Sequence, residues 1–260
     1  MLAKHDNLLY IAAKVLAESV DLGDRVPMGP VAPIVLLGGA VFLVTAATDF
    51  EMEPFRFACP EAVHPVLVTG VGPVEAAVCL TAFLATTSLP LAGVVNFGVA
   101  GAYSAGADRS GAAVLDLCLA EQEVLADLGV CANEEVRPLR GEGFTMTCSF
   151  ELDAGLRRRA ESVLVAAAIP YVSGVFATVS AASGTRRRGD LLAARHHALC
   201  ENMEGAAVAR ACQHFGLPLL ELRCISNLVE DRDLRNWQLH DACVRCGEVT
   251  ALVVKGLHHD

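Results

Sequence analysis

A turn rich in carboxylates follows one of the apolar runs in the C-terminal third of the sequence. Glu201, Asn202, Met203 and Glu204 lie immediately before the small residues 205–207, a pattern that predicts a strand ending where a helix begins. A carboxylate at such a turn can accept hydrogen bonds from two adjacent hydroxyl groups, as on a ribose, and Met203 would provide an apolar surface beside it. Helix N-termini favour acidic residues in any case, so a structural role for this turn is the alternative.

The last apolar run ends in a serine and an asparagine. Residues 218–226 have the composition of a buried strand, and Asn227 follows at its carboxyl end, before a polar loop. The carboxamide of Asn227 has both hydrogen-bond donors and an acceptor, so it can recognise a ring that offers the complementary pair. The alternative is an Asx turn that only shapes the loop.

An acidic segment follows the first apolar run. Asp49, Glu51 and Glu53 occur in a stretch with no arginine before Arg56. Binding a phosphate dianion would call for arginine side chains, whereas carboxylates repel phosphate and can orient and deprotonate water. This segment, which we expect to be a loop, therefore favours water over phosphate as a nucleophile.

Two segments with glycines could bring the backbone close to a ligand. Gly70 and Gly72 precede Pro73 at a predicted strand-to-helix turn, but Glu75 stands where a dinucleotide-binding fingerprint needs a third glycine. The small residues of segment 98–101 leave open backbone that can lie against a flat ring or a sugar. Plain structural turns are the alternative for both segments.

Apolar runs alternate with helical patterns from residue 39 onwards. Strands are predicted at 40–46, 65–69, 93–98, 113–119, 172–179, 198–203 and 218–226. Helices are predicted at 73–86, 151–167, 185–197, 204–215 and 235–256. This alternation predicts an α/β fold, with a mixed, mostly parallel central sheet flanked by helices in a single domain over residues 39–260 and an N-terminal extension over 1–38. Ligands of such sheets bind beyond the carboxyl ends of the strands, where the polar turns lie.

The composition predicts a soluble protein that binds neither nucleic acids nor membranes. The formal net charge of −10 disfavours nucleic acids and anionic membranes, which need clustered basic residues. The ten cysteines are scattered with only one C-x-x-C pair, so we expect reduced thiols, a cytoplasmic location and no metal. Residues 28–48 are uncharged and long enough to cross a bilayer. Their prolines and glycine pair favour a buried strand, with a membrane tether as the alternative.

In this order along one sheet, the polar turns resemble those of the purine nucleoside phosphorylase and nucleosidase superfamily. Within it they are similar to the futalosine hydrolase family through Gly70-x-Gly72-Pro73, Phe97-Gly98-x-Ala100-Gly101, Ala177-Thr178-Val179-Ser180, Glu201-Asn202-Met203-Glu204-Gly205 and Ile225-Ser226-Asn227. The resemblance implies hydrolysis of futalosine to dehypoxanthine futalosine and hypoxanthine, a step of menaquinone biosynthesis. It also implies a homo-oligomer that needs no cofactor.

The resemblance further implies roles for individual residues. Glu51 would be the general base, Glu204 would bind the ribose hydroxyls, and Asn227 would stabilise the departing purine. Further substrate contacts are expected from Gly98, Val99, Ala100, Gly101, Val179, Met203, Ser226, Arg232 and Trp237. The last two would meet the carboxylated aromatic group of futalosine, although a surface salt bridge and a core tryptophan explain them equally well.

Asn227 also bears on the choice of purine. Relatives that cleave adenine nucleosides carry aspartate after the serine, whereas an amide can donate to a 6-oxo group and accept from a protonated N7. We therefore expect a 6-oxopurine nucleoside. The alternatives are a methylthioadenosine or adenosylhomocysteine nucleosidase, a purine nucleoside phosphorylase, and a nucleoside-binding protein without activity.

Overall fold

The chain was analysed as a computed structural model, which describes residues 40–60, 64–104, 111–132, 135–139, 143, 146–231 and 233–259. The expected extension over residues 1–38 and the candidate Arg232 lie outside the described residues.

The described residues contain ten strands, and the longer ones coincide with buried apolar runs. They are β1 (Val41–Ala46), β2 (Val66–Val68), β3 (Leu91–Tyr103), β4 (Leu117–Leu125), β5 (Val130–Ala132), β6 (Glu135–Arg137), β7 (Ser149–Glu151), β8 (Val172–Thr178), β9 (Ala198–Asn202) and β10 (Leu219–Val229). Eight of them form one mixed sheet, while β5 and β6 pair only with each other.

The sheet closes on itself around five of its strands. β3 pairs in parallel with β10 and antiparallel with β9. β4 pairs antiparallel with β10 and in parallel with β8, and β8 pairs in parallel with β9. The ring therefore runs β3, β10, β4, β8, β9 and back to β3, with β1 and β2 extending it in parallel beyond β3.

The described part of the chain has six helices that flank the sheet, and three of them begin at a side-chain cap. They are α1 (Asp49–Ala58), α2 (Pro73–Thr86), α3 (Ala154–Ala166), α4 (Arg186–His196), α5 (Gly205–Phe215) and α6 (Leu239–His259). Thr48, Asp153 and Thr185 cap α1, α3 and α4 with side-chain oxygens. Pro73 occupies the first turn of α2, where the missing N–H costs no hydrogen bond.

The apolar core lies on both sides of the sheet. Along β1, Phe42 and Val44 join a cluster with residues of α1, α3 and α6, whereas Leu43 joins a second cluster with residues of α2 and α5. This alternation is the two-residue period of a strand that is covered on both faces. The site-bearing ends of the strands are thus held by a sheet packed between two helical layers.

The fold expected from the sequence is confirmed, with three corrections. The acidic segment after β1 is the helix α1 rather than a loop. Residues 98–101 are not a turn but part of β3, which continues to Tyr103, and β10 continues past Asn227 to Val229. Within the uncharged segment 28–48, the described part forms the buried strand β1, and no helix in the described ranges is both long and apolar enough to span a bilayer.

Candidate active site

Glu51 is fixed by the helix that replaces the expected loop. It is the third residue of α1 and completes a capping box, in which its Oε2 accepts hydrogen bonds from Thr48 N at 3.1 Å and Thr48 Oγ1 at 2.9 Å. Its Oε1 accepts from the backbone N–H of Val99 in β3 at 3.1 Å. The carboxyl group is thereby held between a helix cap and an inner strand.

The surroundings of Glu51 favour its neutral form more than water would. Burial raises the pKa of its carboxyl, the positive charge of Arg223 lowers it, and the negative charge of Glu204 raises it, with burial the largest effect. A carboxylate whose conjugate acid has a raised pKa is a stronger general base than an exposed one. Glu51 is therefore suited to accept a proton from water.

Glu204 lies in the turn between β9 and α5, as the sequence predicted for the ribose-binding carboxylate. It is buried, and its Oε1 accepts from the backbone N–H of Gly72 at 3.0 Å. Its Oε2 is 3.5 Å from Nη1 of Arg223. The turn that contains Gly70 and Gly72 and the turn that carries Glu204 thus come together at the Glu204 carboxylate.

Arg223 was missed by sequence reasoning and lies at the centre of the site. Its Nε and Nη2 both donate to Oε1 of Glu221 at 2.9 Å, and its Nη1 donates to the carbonyl oxygen of Val99 at 3.3 Å. The side chain is almost fully buried. The available signal was a Glu–x–Arg pair inside an apolar strand, since charged residues are rarely buried unless they are paired.

Gly98 leaves the space in which Glu51 and Arg223 approach each other. A Cβ at this position would lie 2.5 Å from Oε1 of Glu51 and 2.8 Å from Nη1 of Arg223. Both distances are too short for any side chain. The missing side chain of Gly98 therefore leaves room for Glu51 and Arg223, and not for a ligand as the sequence had suggested.

Asn227 lies opposite Gly101 in the pairing of β3 with β10, just after a shift in the register of β10. Its Oδ1 accepts from Oγ of Ser226 at 2.8 Å, and its Nδ2 donates to the carbonyl oxygen of Leu228 at 3.1 Å. The carbonyl oxygen of Ala100 in β3 is the alternative acceptor for the single Ser226 hydroxyl hydrogen, at 3.3 Å. The carboxamide is therefore held by its two neighbours in β10.

A cavity of about 210 Å³ opens beside Asn227. It is lined by Val114, Ser183, Asn227, Leu228, Glu230, Asp231, Asp233, Asn236 and Trp237. Trp237, a candidate from the sequence, therefore shares a cavity with Asn227. The three acidic residues make one wall of this cavity negative.

The two halves of the site are joined by a short length of β3. Because a strand advances about 3.3 Å per residue, Val99 beside Glu51 and Gly101 opposite Asn227 are about 7 Å apart. A nucleoside spans a comparable length between its sugar and the far edge of its base. Gly98, Val99, Ala100 and Gly101 therefore connect the carboxylates to the carboxamide.

Met203 and Val179 lie on the side of the site formed by β8 and β9. Met203 is half-buried and packs against an apolar cluster that contains Val179. Val179 is fully buried, and its backbone N–H donates to the carbonyl oxygen of Asn202 at 2.9 Å. Its side chain thus belongs to the core and exposes no surface for the substrate contact expected of it.

The family model of the phosphorylase superfamily matches residues 52–257. The chain belongs to this superfamily. A futalosine hydrolase of Thermus thermophilus is 36% identical to this superfamily member over 208 residues, covering 75% of this chain and 85% of the relative. A futalosine hydrolase of Streptomyces coelicolor is 35% identical over 181 residues, covering 68% and 72%. The resemblance expected from the motifs is confirmed.

Solved structures of the superfamily share the fold of this member. A futalosine hydrolase mutant of Helicobacter pylori gives a TM-score of 0.70 at 22% identity, over 83% of this chain and 99% of that chain. An S-adenosylhomocysteine nucleosidase of Streptococcus pyogenes gives a TM-score of 0.71 at 18% identity, over 85% and 99%. The fold is thus common to enzymes of different specificity, and the substrate has to be argued from the side chains.

Proposed function

We propose that the protein hydrolyses the N-glycosidic bond of futalosine and releases hypoxanthine. The observation that carries this proposal is the gathering of Glu51 and Glu204 around Arg223, in a chain that is 36% identical to a futalosine hydrolase. Two carboxylates and one buried cation suit the activation of water beside a sugar, whereas a phosphate dianion would face two negative charges.

The sugar would be held by the turn before α5. One oxygen of Glu204 already accepts the backbone N–H of Gly72, and a carboxylate can accept about four hydrogen bonds, which leaves capacity for two ribose hydroxyls. The half-buried Met203 would pack against the sugar ring. This grip keeps C1′ close to Glu51.

Water held by Glu51 would attack C1′ as the bond between C1′ and N9 lengthens. The transition state of such cleavages resembles an oxocarbenium ion. As the water oxygen bonds to C1′, its proton passes to the Glu51 carboxylate and the bonding electrons leave with the purine. N7 of the departing base then takes up a proton from solvent. The raised pKa of Glu51 favours this proton transfer.

Asn227 would stabilise the negative charge that gathers on the departing base. Each end of its carboxamide makes one hydrogen bond to described residues, and an amide can make two at each end. The second N–H can donate to O6 while the second lone pair of Oδ1 accepts from a protonated N7. This pairing favours hypoxanthine over adenine, because a 6-amino group would face the donor side of the amide.

The remaining parts of the substrate and the assembly are also part of the proposal. Trp237 lines the cavity beside Asn227 and would form an apolar wall for the aromatic group at the 5′ side of futalosine. Arg232 would supply the positive charge for the carboxylate of that group. Residues 39–260 would be the catalytic domain and 1–38 an extension. The protein would act in the cytoplasm as a homo-oligomer, without a cofactor, in menaquinone biosynthesis.

The test is a comparison of substrates with and without phosphate. We expect free hypoxanthine from futalosine at a rate that does not depend on phosphate, measured by chromatography of the released base. Adenine released from methylthioadenosine at comparable kcat/KM would overturn the choice of purine. A requirement for phosphate would indicate a phosphorylase. Binding of a nucleoside without release of any base would rule out enzymatic activity.

A further inference from the structure

Two carboxyl groups meet beneath the turn that carries Glu204. Glu123 of β4 and Glu221 of β10 are both fully buried. A Cβ on Gly205, the first residue of α5, would overlap Oε1 of Glu123 and lie 2.6 Å from Oε1 of Glu221. The two carboxyl groups therefore converge on the same point under the helix N-terminus.

The hydrogen bonds around this pair are unequal. Glu221 uses Oε1 to accept from Arg223 and from Nδ2 of Asn96 at 3.1 Å. Its Oε2 is buried, and no N–H or hydroxyl group of the described residues donates to it. Leaving such an atom unpaired is costly, so the geometry calls for a donor beside it.

Glu123 is the group that can supply the donor. Its oxygens accept from Oγ1 of Thr178 at 2.7 Å and from Nδ2 of Asn202 at 2.6 Å. Burial and the neighbouring charge of Glu221 raise the pKa of the Glu123 carboxyl well above its usual range. A protonated carboxyl keeps acceptor capacity while donating one O–H.

The carboxyl groups of Glu51, Glu123, Glu204 and Glu221 surround the guanidinium of Arg223. One positive charge cannot offset all four, so ionising both Glu123 and Glu221 costs free energy. Two other charged groups, Glu204 and Arg223, face Glu123, Glu221 and Glu51. The thiols around them are those of Cys200 on β9, Cys212 on α5, and Cys243 and Cys246 on α6. Burial raises the pKa of all four thiols, so they are neutral near pH 7. The carboxyl groups and Arg223 alone set the charge.

We propose that Glu123 and Glu221 share one proton, which Glu123 carries and donates to Oε2 of Glu221, and that the neutral Glu123 is a positioning residue for the site. The inference rests on the proposed function for its kinetic consequences only. Glu221 then keeps a single negative charge that holds Arg223 against Val99 and Glu204.

Glu123 also orders the turn that carries Glu204. Glu123 accepts from the amide of Asn202 and so fixes its orientation. Oδ1 of Asn202 then accepts from the backbone N–H groups of Glu204 at 2.9 Å and Gly205 at 2.7 Å. The position of the Glu204 carboxylate thus depends on a side chain that does not touch the substrate.

The kinetic test replaces the pair stepwise by neutral amides. Glu123→Gln imitates the protonated carboxyl, because its N–H can donate to Glu221 while Thr178 turns to Oδ1 of Asn202, 3.3 Å away. We expect kcat and KM to stay within about threefold of the wild type. The midpoint pH of the acid limb of kcat/KM should stay unchanged. The exposed Glu53→Gln is the matched control and should behave alike.

The double variant Glu123→Gln/Glu221→Gln removes the only charge of the pair. Arg223 then acts more strongly on Glu51, so the acid limb of kcat/KM should move to lower pH, and kcat should fall about 10- to 100-fold as the site loosens. The double variant prevents Glu123 from taking over the lost charge. An unmoved acid limb, or a large loss in the folded single variant, would overturn the proposal.

Infrared spectroscopy tests the proton without any substrate. At neutral pH the wild type should show the C=O stretch of a protonated carboxyl, which persists in Glu51→Gln and disappears in Glu123→Gln. If Glu123→Gln does not fold, absence of that band from both the wild type and Glu51→Gln would still overturn the proposal. The band is independent of the nucleoside cleaved, so failure on futalosine would leave this result interpretable.

Discussion

At the scale of single residues, Glu51 lies where a helix cap, an inner strand and a buried cation meet. In Glu51→Gln the amide cannot accept a proton from water, so we expect kcat to fall about 10²–10⁴-fold. Initial rates of base release measure the loss, with the circular dichroism spectrum as the test of folding. The exposed Glu53→Gln should keep its rate, and a folded Glu51→Gln with more than a tenth of the activity would refute the assignment.

The pH dependence follows from the same residue. A general base must be ionised, and the pKa of Glu51 is raised by burial. Activity should therefore be present at high pH and lost as the pH falls through this raised pKa, with an acid limb of kcat/KM above the ordinary glutamate value of about 4.3. A pH series of kcat/KM gives the midpoint. An acid limb at or below the ordinary value would contradict the assignment.

Asn227 carries the choice between purines. Asn227→Asp turns the donor towards the 6 position into an acceptor, so we expect the preference for 6-oxopurine over 6-aminopurine nucleosides to fall about 10- to 100-fold. The measurement is the ratio of kcat/KM for futalosine to that for methylthioadenosine. Asn236→Asp makes the same chemical change elsewhere in the cavity and serves as the control. An equal effect of both variants would refute the pairing scheme.

Sequence reasoning was most limited at the residue scale. Glu204 lies in a local motif and is placed where the motif predicted it. Arg223 and Glu221 pair locally within β10, but the sequence does not show that Glu123 lies beside them, because only the pairing of strands distant in sequence brings β4 to β10. A charge in an apolar run indicates a partner without telling which one.

At the scale of elements, β3 is both a core strand and the floor of the site. Gly98→Ala should displace Glu51 or Arg223, since the new methyl group would lie 2.5 Å from Oε1 of Glu51. We expect kcat to fall about 10- to 100-fold, measured by initial rates. Gly184→Ala enters open space and should have no effect. A Gly98→Ala enzyme with the rate of the wild type would show that this close approach does not matter.

The element order was predictable because apolar runs and helical patterns alternate clearly. α1 was missed because it is short and contains Pro54, and because its buried face is limited to Glu51, Met52 and Phe55. The second half of β3 was missed for the opposite reason. Its small residues have the composition of a turn, yet β9 and β10 pair with it on its two sides and hold it as a strand.

At the scale of the whole molecule, all the residues proposed for the site lie between positions 39 and 260. We therefore expect a chain of residues 39–260 to keep kcat/KM within about threefold of the full-length protein, since the shorter chain keeps every residue proposed for the site. The comparison needs the thermal unfolding midpoint of both chains beside their rates. A folded but inactive shorter chain would show that the extension takes part in the site.

The capping box of α1 ties helix formation to the position of the carboxylate that would receive the water proton. Each residue turns a helix by about 100°. Deleting one residue between Thr48 and Glu51 would therefore remove the cap and at the same time rotate the Glu51 carboxylate away from Val99. Neither Asp49 nor Glu53 could substitute, since only the third helical position reaches back to Thr48. Insertions and deletions between Thr48 and Glu51 should therefore be absent from active relatives.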